Sequence, residues 1–364
     1  MARKPKIERF NEKILSRFQI YNSLFLTLPF KTIKQTSLLM PLFSEHCRKQ
    51  YEINNNPRDI VNSFFNLYAP DFDSEQQLDL LFNFIQYIER QVVLFDAIED
   101  AGFSYVNNMH GRGTLRNMKE EASNKQLGDA LSEYIKRFKV RIVLTAHPTQ
   151  FYPDNVLVIM NELSKAISED DLDSVKKLLV QLGKTPFYKK EKPSPYDEAI
   201  SLIWFLENVF YHSASTIYNY VAEHIVDSKD LNNPIFDFGF WPGGDRDGNP
   251  FVTPEITIKT AKRLKFSILR NYYRDLRKLK RKITFPGIED RVEKLENMVF
   301  NELFYPKRNK NFSLEYLSSE LEFVLNKVEN EHDGLYKDEV LDIIYKVRLF
   351  GLHFASLDIR QDSR

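Results

Sequence analysis

Arg141-Ile142-Val143-Leu144-Thr145, followed by Ala146-His147-Pro148-Thr149-Gln150, is a short apolar run that breaks off into a polar cluster. Its composition reads as a strand, and the polar stretch reads as a loop at the strand's carboxyl end. Two other stretches have the same form: Ile235 to Trp241, with alternating bulky residues, and Leu352 to Ile359. A long helical pattern follows the first two, whereas the third is followed only by the residues up to Arg364. Strand, polar loop and helix, repeated with about 100 residues between units, suits an α/β barrel or an open sheet with large helical insertions. Three strands cannot close a barrel, so the expectation is a chain cut from a longer one.

Most of the remaining sequence reads as amphipathic helix. From Ser74 to about Ala101, Leu78, Leu81, Phe82, Phe84, Ile85, Ile88 and Val92 recur at spacings of three and four, predicting an apolar face. A second helix is expected from Pro153 to about Leu182. A third begins Ser194-Pro195-Tyr196-Asp197, a capping residue, a proline at the first helical position and an acid in the first turn, and runs through Trp204, Leu206, Val209 and Phe210 to about Val226. A fourth opens the same way at Thr253-Pro254-Glu255 and extends to about Lys282. Shorter helices are expected near 313–331 and 337–350. Twelve glycines in 364 residues is about half the usual share of about 7%, which also favours helix over tight-turned sheet. Three of them, Gly243, Gly244 and Gly248, fall in one loop. The expected fold is mainly α with a few β-strands, divided into a helical region over 1–140 and a strand-bearing region over 141–364.

Lys plus Arg and Asp plus Glu both number 51, so the formal charge is zero. A protein built chiefly to bind nucleic acid usually carries a strong basic excess. With 43% hydrophobic and 13% aromatic residues there is material for a large core, which excludes disorder for the bulk of the chain. The single cysteine, Cys47, permits no internal disulfide and suits a reducing compartment. The uncharged stretch Phe18 to Phe30 is too short and too polar to span a bilayer, and Glu8 and Glu12 precede it, so neither a membrane segment nor a signal peptide is expected. The expectation is a soluble cytoplasmic protein.

Three loops carry candidate chemistry. His147 follows a strand, where α/β folds place catalytic groups, and Pro148 restricts it to extended geometry; a structural, hydrogen-bonded histidine is the alternative. In Trp241-Pro242-Gly243-Gly244-Asp245-Arg246-Asp247-Gly248-Asn249-Pro250, paired glycines suit an anion-binding nest, and two aspartates flank Arg246 closely enough to fix its guanidinium. A calcium loop fails here, because Pro250 and Ile256 occupy the positions of the required glycine and glutamate. An acidic turn capping the next helix is the plainer reading. In Leu357-Asp358-Ile359-Arg360-Gln361, Asp358 and Arg360 suit either a structural ion pair or a ligand contact. One histidine and two arginines at three strand ends suit a small anionic, phosphorylated substrate.

Taken in order, Thr145-Ala146-His147-Pro148-Thr149-Gln150, Gly243-Gly244-Asp245-Arg246-Asp247-Gly248-Asn249-Pro250 and Leu357-Asp358-Ile359-Arg360-Gln361 resemble phosphoenolpyruvate carboxylase of the bacterial and plant type. The resemblance implies the N-terminal part of a helix-rich (β/α)8, TIM-type barrel, with the first three strands only. It implies that His147 is the catalytic base, that Trp241 and Arg246 belong to the active-site loop after the second strand, and that Arg360 faces the substrate phosphate. It further implies a reaction joining bicarbonate to phosphoenolpyruvate to give oxaloacetate and phosphate, with Mg2+ as cofactor. The family's metal-binding carboxylates, catalytic lysine, mobile glycine-rich loop and inhibitor site all follow its third motif. The expectation is therefore no metal ligand in this chain, no activity by this chain alone, and a homo-oligomer once the C-terminal half of the barrel is supplied. Pro242 and Phe251 depart from the family's usual residues and bear on loop packing only.

Two stretches imitate other functions. His110-Gly111-Arg112-Gly113-Thr114 is similar to the family's glycine-rich loop but precedes the first strand, and reads as a turn between helices. The basic stretch 262–282, with Tyr272 and Tyr273, raises nucleic-acid binding, yet Leu264, Ile268, Tyr272, Leu276, Leu279 and Ile283 give it one buried face and a solvated basic face. No nucleic-acid or membrane partner is expected. A non-catalytic helical module that binds a phosphorylated metabolite or partner is the alternative to the enzyme.

Overall fold

The computed structural model describes residues 3–28, 33–53, 55–145, 152–187, 193–227, 230–306 and 312–361. His147 lies outside them. The described chain is mainly helical, with one small three-stranded parallel sheet. It divides into two compact units, one formed by Met1–Gly111 and Gln150–Lys190, the other by Arg112–Thr149 and Glu191–Arg364.

Helices and the turns between them make up the described residues of the first unit, and its main core gathers Phe25, Leu94, Ile98, Ile159, Leu163 and Leu179. Its longest helix, Ser74–Val106, starts at Asp73, whose carboxylate accepts the Gln76 N–H while the Gln76 side chain accepts the Asp73 N–H. The expected apolar face is corrected here. Leu80, Phe84, Tyr87, Val93, Leu94, Ala97 and Ile98 are buried, whereas Leu78, Phe82, Ile85, Ile88 and Val92 are exposed. The helix carries apolar residues around more of its circumference than one stripe, so spacing alone does not say which stripe meets the core. The single helix expected over 153–182 is two, Asp154–Ser168 and Leu172–Lys184. Asp170 turns left-handed at φ 55°, and Asp171 caps the second helix by accepting the Ser174 N–H. Short polar side chains tolerate that conformation and favour caps, which makes Glu169-Asp170-Asp171 a break.

In the second unit, β1 (Val140–Leu144), β2 (Phe236–Phe240) and β3 (Ser356–Leu357) lie side by side in that order, all parallel. The register sets Arg141 opposite Asp237 and Leu144 opposite Phe240. Alternation sends Ile142, Leu144, Phe238 and Phe240 into a core shared with the surrounding helices, and Arg141, Val143, Asp237 and Gly239 to the other face. The third strand is shorter than the expected Leu352–Ile359, because Phe354 and Ala355 in the preceding turn are consecutive buried residues and abandon the period of two.

The helices of this unit begin where their caps predict. Ser194 accepts the Asp197 N–H and Asp197 accepts the Ser194 N–H, with Pro195 at the first helical position. Thr253 accepts the Ile256 N–H ahead of Pro254–Lys282. The helix from Pro195 to His224 is interrupted by a π-helical turn, Leu206–Phe210, which its spacing does not betray. Along the basic helix Leu264, Ile268, Tyr272, Leu276 and Leu279 are buried, and Lys265, Arg270, Lys280 and Lys282 pair with Glu302, Glu207, Glu293 and Glu339.

One charge cluster is buried. The Lys346 ammonium lies 2.8 Å from Asp275 Oδ2, 2.6 Å from Asp342 Oδ2 and 4.7 Å from the centre of the Tyr211 ring. The Tyr211 hydroxyl donates to Asp275 Oδ2 at 2.8 Å, and burial drives that hydroxyl's pKa well up. Three helices are joined there. Among the described residues, no helix is long and apolar enough to cross a membrane.

Candidate functional site

The site grows from the carboxyl ends of the three strands. Beyond β2, the Trp241 N–H donates to Leu144 O of β1 at 2.9 Å, and the chain turns at once, with the Gly244 and Asp245 N–H groups both donating to Trp241 O at 2.9 Å. Gly243 sits at φ 77°, where a Cβ would stand 2.3 Å from Thr260 Oγ1, so the loop lies too close to the Pro254–Lys282 helix for any other residue. The Thr257 hydroxyl donates to Gly243 O at 2.7 Å and fastens the loop to that helix. Beyond β3, the Asp358 N–H donates to Phe240 O, the Arg246 N–H to Arg360 O at 2.9 Å, and the Arg360 N–H to Gly244 O at 3.3 Å. The two loops are thus joined backbone to backbone at the strand ends.

Three of the four expected site residues, Trp241, Arg246 and Arg360, lie on these joined loops. The Arg360 guanidinium lies 4.8 Å from the centre of the Trp241 ring, with Nη1 3.2 Å from Asp245 Oδ2 and Nη2 3.5 Å from Asp247 Oδ2. Arg246 reaches Gln361 Oε1 at 3.3 Å and Thr257 Oγ1 at 3.5 Å, while its buried Nε has no hydrogen-bond partner. Trp241 donates its indole N–H to Asp358 Oδ2 at 3.2 Å. The fourth, His147, follows the β1 end but is not among the described residues.

The ion pairs differ from those the sequence suggests. Asp245 and Asp247 hold Arg360 rather than the Arg246 between them, and Asp358 holds Arg141 and Trp241 rather than Arg360. Asp245 is the bridge partner of Arg360, and successive residues of an extended chain point to opposite faces, so Asp245 and Asp247 share a side that Arg246 between them does not; Arg141 reaches Asp358 across β2 over Gly239, which carries no side chain. The next helix is capped by Thr253, not by the aspartates. Arg141 is the functional candidate that sequence reasoning passed over. Its signal was a charge at the second position of an otherwise apolar five-residue strand.

Two guanidinium groups, an indole face and a glycine turn at the ends of parallel strands form an arrangement suited to a planar or tetrahedral anion. A cavity of about 450 Å3 lies elsewhere, lined by Phe238, Leu264, Phe350, His353 and Leu357 among others, and includes none of these groups. Burial lowers the His353 pKa, with Lys265 adding to the effect. The strand-end loops, not this cavity, carry Arg246 and Arg360. No group of three or more His, Cys, Asp or Glu among the described residues is placed to hold a metal ion.

Comparison with known proteins agrees with the first two motifs, which lie inside the matched residues. The family model for phosphoenolpyruvate carboxylase matches residues 80–301. The phosphoenolpyruvate carboxylase of Vibrio vulnificus (strain YJ016) is 26% identical over 278 residues, covering 64% of this chain and 31% of that protein. That of Photorhabdus laumondii subsp. laumondii is 27% identical over 293 residues, covering 68% and 33%, and that of Shewanella oneidensis is 24% identical over 273 residues, covering 63% and 31%. The chain therefore spans about a third of the length of these relatives. The family match takes in β1, β2 and the whole Trp241–Pro250 loop, and with more than half of its length so matched, the chain belongs to the phosphoenolpyruvate carboxylase family.

Proposed function

We propose that this chain supplies the Trp241, Arg246 and Arg360 side of a site that joins bicarbonate to phosphoenolpyruvate, giving oxaloacetate and phosphate. The observation that carries the reading is the backbone-joined pair of loops, in which the Arg246 N–H donates to Arg360 O at the ends of parallel strands. In this reading the two guanidinium groups bind the phosphate and carboxylate of the substrate. Bicarbonate attacks phosphorus, forming carboxyphosphate and releasing the enolate. His147 takes the proton of carboxyphosphate, which yields phosphate and carbon dioxide, and the enolate captures the carbon dioxide. The described residues do not fit magnesium, since Asp245 and Asp247 are committed to Arg360 and no three-ligand group is present among them.

The sheet supports reading these strands as the first three of a closed (β/α)8 barrel. Parallel sheets are ordinarily covered on both faces, yet here helices cover one face while Arg141 and Val143 on the other are exposed. Among the described residues, no strand pairs with the outer edge of β3. A non-catalytic module that holds a phosphorylated metabolite is the second reading, since guanidinium groups at strand ends can hold a phosphate without turning it over.

The 364-residue chain is expected to bind phosphoenolpyruvate and to form no oxaloacetate from it with bicarbonate and magnesium. Equilibrium dialysis with labelled phosphoenolpyruvate measures the first, and trapping by malate dehydrogenase with NADH measures the second. Absence of saturable binding sinks the assignment. Adding the remaining two thirds of a curated relative separates the readings, because only a catalytic part gains carboxylation.

Arg246→Lys and Arg360→Lys each keep the charge but lose the planar fork. Losing one charge-assisted hydrogen bond costs roughly 1.5–3 kcal/mol, so phosphoenolpyruvate binding should weaken about 10- to 150-fold in either variant. Unchanged affinity with a lowered melting temperature would reduce Arg360 to a brace for Asp245 and Asp247.

A further inference from the structure

We propose that Arg141 is a positioning residue for the strand-end site: its guanidinium bridges Asp237 and Asp358 across β2 and so fixes the carboxylate that holds the Trp241 indole beneath Arg360. The inference rests on the functional reading above and extends it to a residue on a strand that supplies no side chain to the described cluster.

The bridge has two arms. Arg141 Nη1 lies 2.7 Å from Asp237 Oδ2, a pair set directly by the strand register, and Nη2 lies 2.7 Å from Asp358 Oδ1 on the far side of β2. The second arm exists because Gly239 stands between them. A Cβ at 239 would lie 3.1 Å from Arg141 Nη2 and 3.1 Å from Asp358 Oδ2, so any side chain would press on the contact. Both oxygens of Asp358 are then engaged, Oδ1 by Arg141 and Oδ2 by the Trp241 N–H at 3.2 Å.

Each link constrains the next. An indole N–H only donates, so its acceptor fixes the rotation of the ring. Arg360 lies over that ring at 4.8 Å, and its in-plane N–H groups go to Asp245 and Asp247. A guanidinium that stacks on an aromatic face takes its plane from the ring. If Asp358 turns, the indole turns with it, and Arg360 loses its floor. The Asp237 arm, by contrast, ends in the sheet and leads to no site residue.

The two arms can be tested separately. The protein has two tryptophans, Trp204 and Trp241, so Trp204→Phe leaves Trp241 as the only indole reporter. In that background, Arg141→Met is expected to raise acrylamide quenching of Trp241 and to weaken phosphoenolpyruvate binding by about 2- to 30-fold, the usual range for a residue acting through neighbours. Asp237→Asn removes only the other arm. It should lower the melting temperature and leave both quenching and affinity unchanged. Equal effects in the two variants, or parent-like quenching in Arg141→Met, would overturn the proposal and leave Arg141 a sheet residue. If Arg141→Met does not fold, Arg141→Lys decides, because a single ammonium cannot hold both acids; it should shift quenching in the same direction, and parent-like quenching counts against the proposal. Should the parent itself fail to bind phosphoenolpyruvate, the functional reading falls, while the quenching comparison still decides whether Arg141 orients Trp241.

Discussion

Replacing Lys346 by methionine is expected to lower the stability of the second unit by about 3–5 kcal/mol, the usual cost of removing one partner of a buried ion pair. Methionine nearly matches the volume, so the loss is electrostatic rather than a cavity. Asp275 would keep the Tyr211 hydroxyl and the exposed Lys278, but Asp342 would lose the one cation that contacts it among the described ion pairs. Both tryptophans belong to the second unit, so their emission in a urea titration follows that unit alone. Adding Asp275→Asn to Lys346→Met should recover part of the loss, since it removes the buried charge that has lost the nearer of its two cations. A loss below about 1 kcal/mol would show that water reaches the cluster and screens it.

The pH dependence has two flanks. Burial pushes the Asp275 pKa up, but the Lys346 charge and hydrogen bond outweigh it and hold the carboxyl below its usual range. Burial pulls Lys346 down, and Asp275 and Asp342 outweigh that, holding the ammonium above its usual value. A depressed carboxyl contributes stability above its unfolded pKa of about 3.9 and loses it as pH falls through the folded value. A raised ammonium contributes below its unfolded pKa of about 10.4 and loses it as pH rises through the folded value. The wild-type cluster should stabilise across the whole neutral range and fail at both ends. In Lys346→Met the alkaline flank from this group should vanish.

His147→Asn is expected to lower carboxylation at least about 100-fold in an active assembly of this chain with the rest of the family's length, because a positioned base is typically worth about 10²–10⁴ in rate. Asparagine keeps much of the shape and some hydrogen bonding but cannot take the proton. Bicarbonate-dependent hydrolysis of phosphoenolpyruvate should persist, since attack on phosphorus precedes the step assigned to His147. Following oxaloacetate and phosphate separately reveals this split. Wild-type carboxylation in a folded His147→Asn protein would return His147 to a structural role, and equal loss of both products would place it before the phosphorus step.

The legible parts of this chain were those decided locally. The caps at Ser194 and Thr253 each need only a hydroxyl and an N–H three residues on, and both formed as their sequence implies. The strands before His147 and before Pro242 were equally plain, each an apolar run ending in a polar cluster. What could not be read is contact between distant residues. Arg141 and Asp358 are 217 residues apart, and Arg360 and Asp245 are 115 apart. From the sequence, Asp358 has an arginine two residues away, and nothing local says that another will come across β2. Burial failed for a similar reason. Leu78 and Leu80 are both plausible core residues of one helix, and only the packing of the first unit chose Leu80.

The parallel sheet also has a consequence in time. A ribosome adds about 5–20 residues per second, so the 117-residue step from Trp241 to Asp358 takes roughly 6 to 23 seconds to make. Through that interval β1 and β2 have been synthesised while their third neighbour has not. Neither Arg141 nor Trp241 then has its Asp358 partner, and one edge of β2 offers unpaired backbone groups to any passing strand. Asp237 is available to Arg141 much earlier, 96 residues along the chain. The first arm of the bridge therefore becomes possible seconds before the second, and the site's cations are brought together only when the last few described residues leave the ribosome.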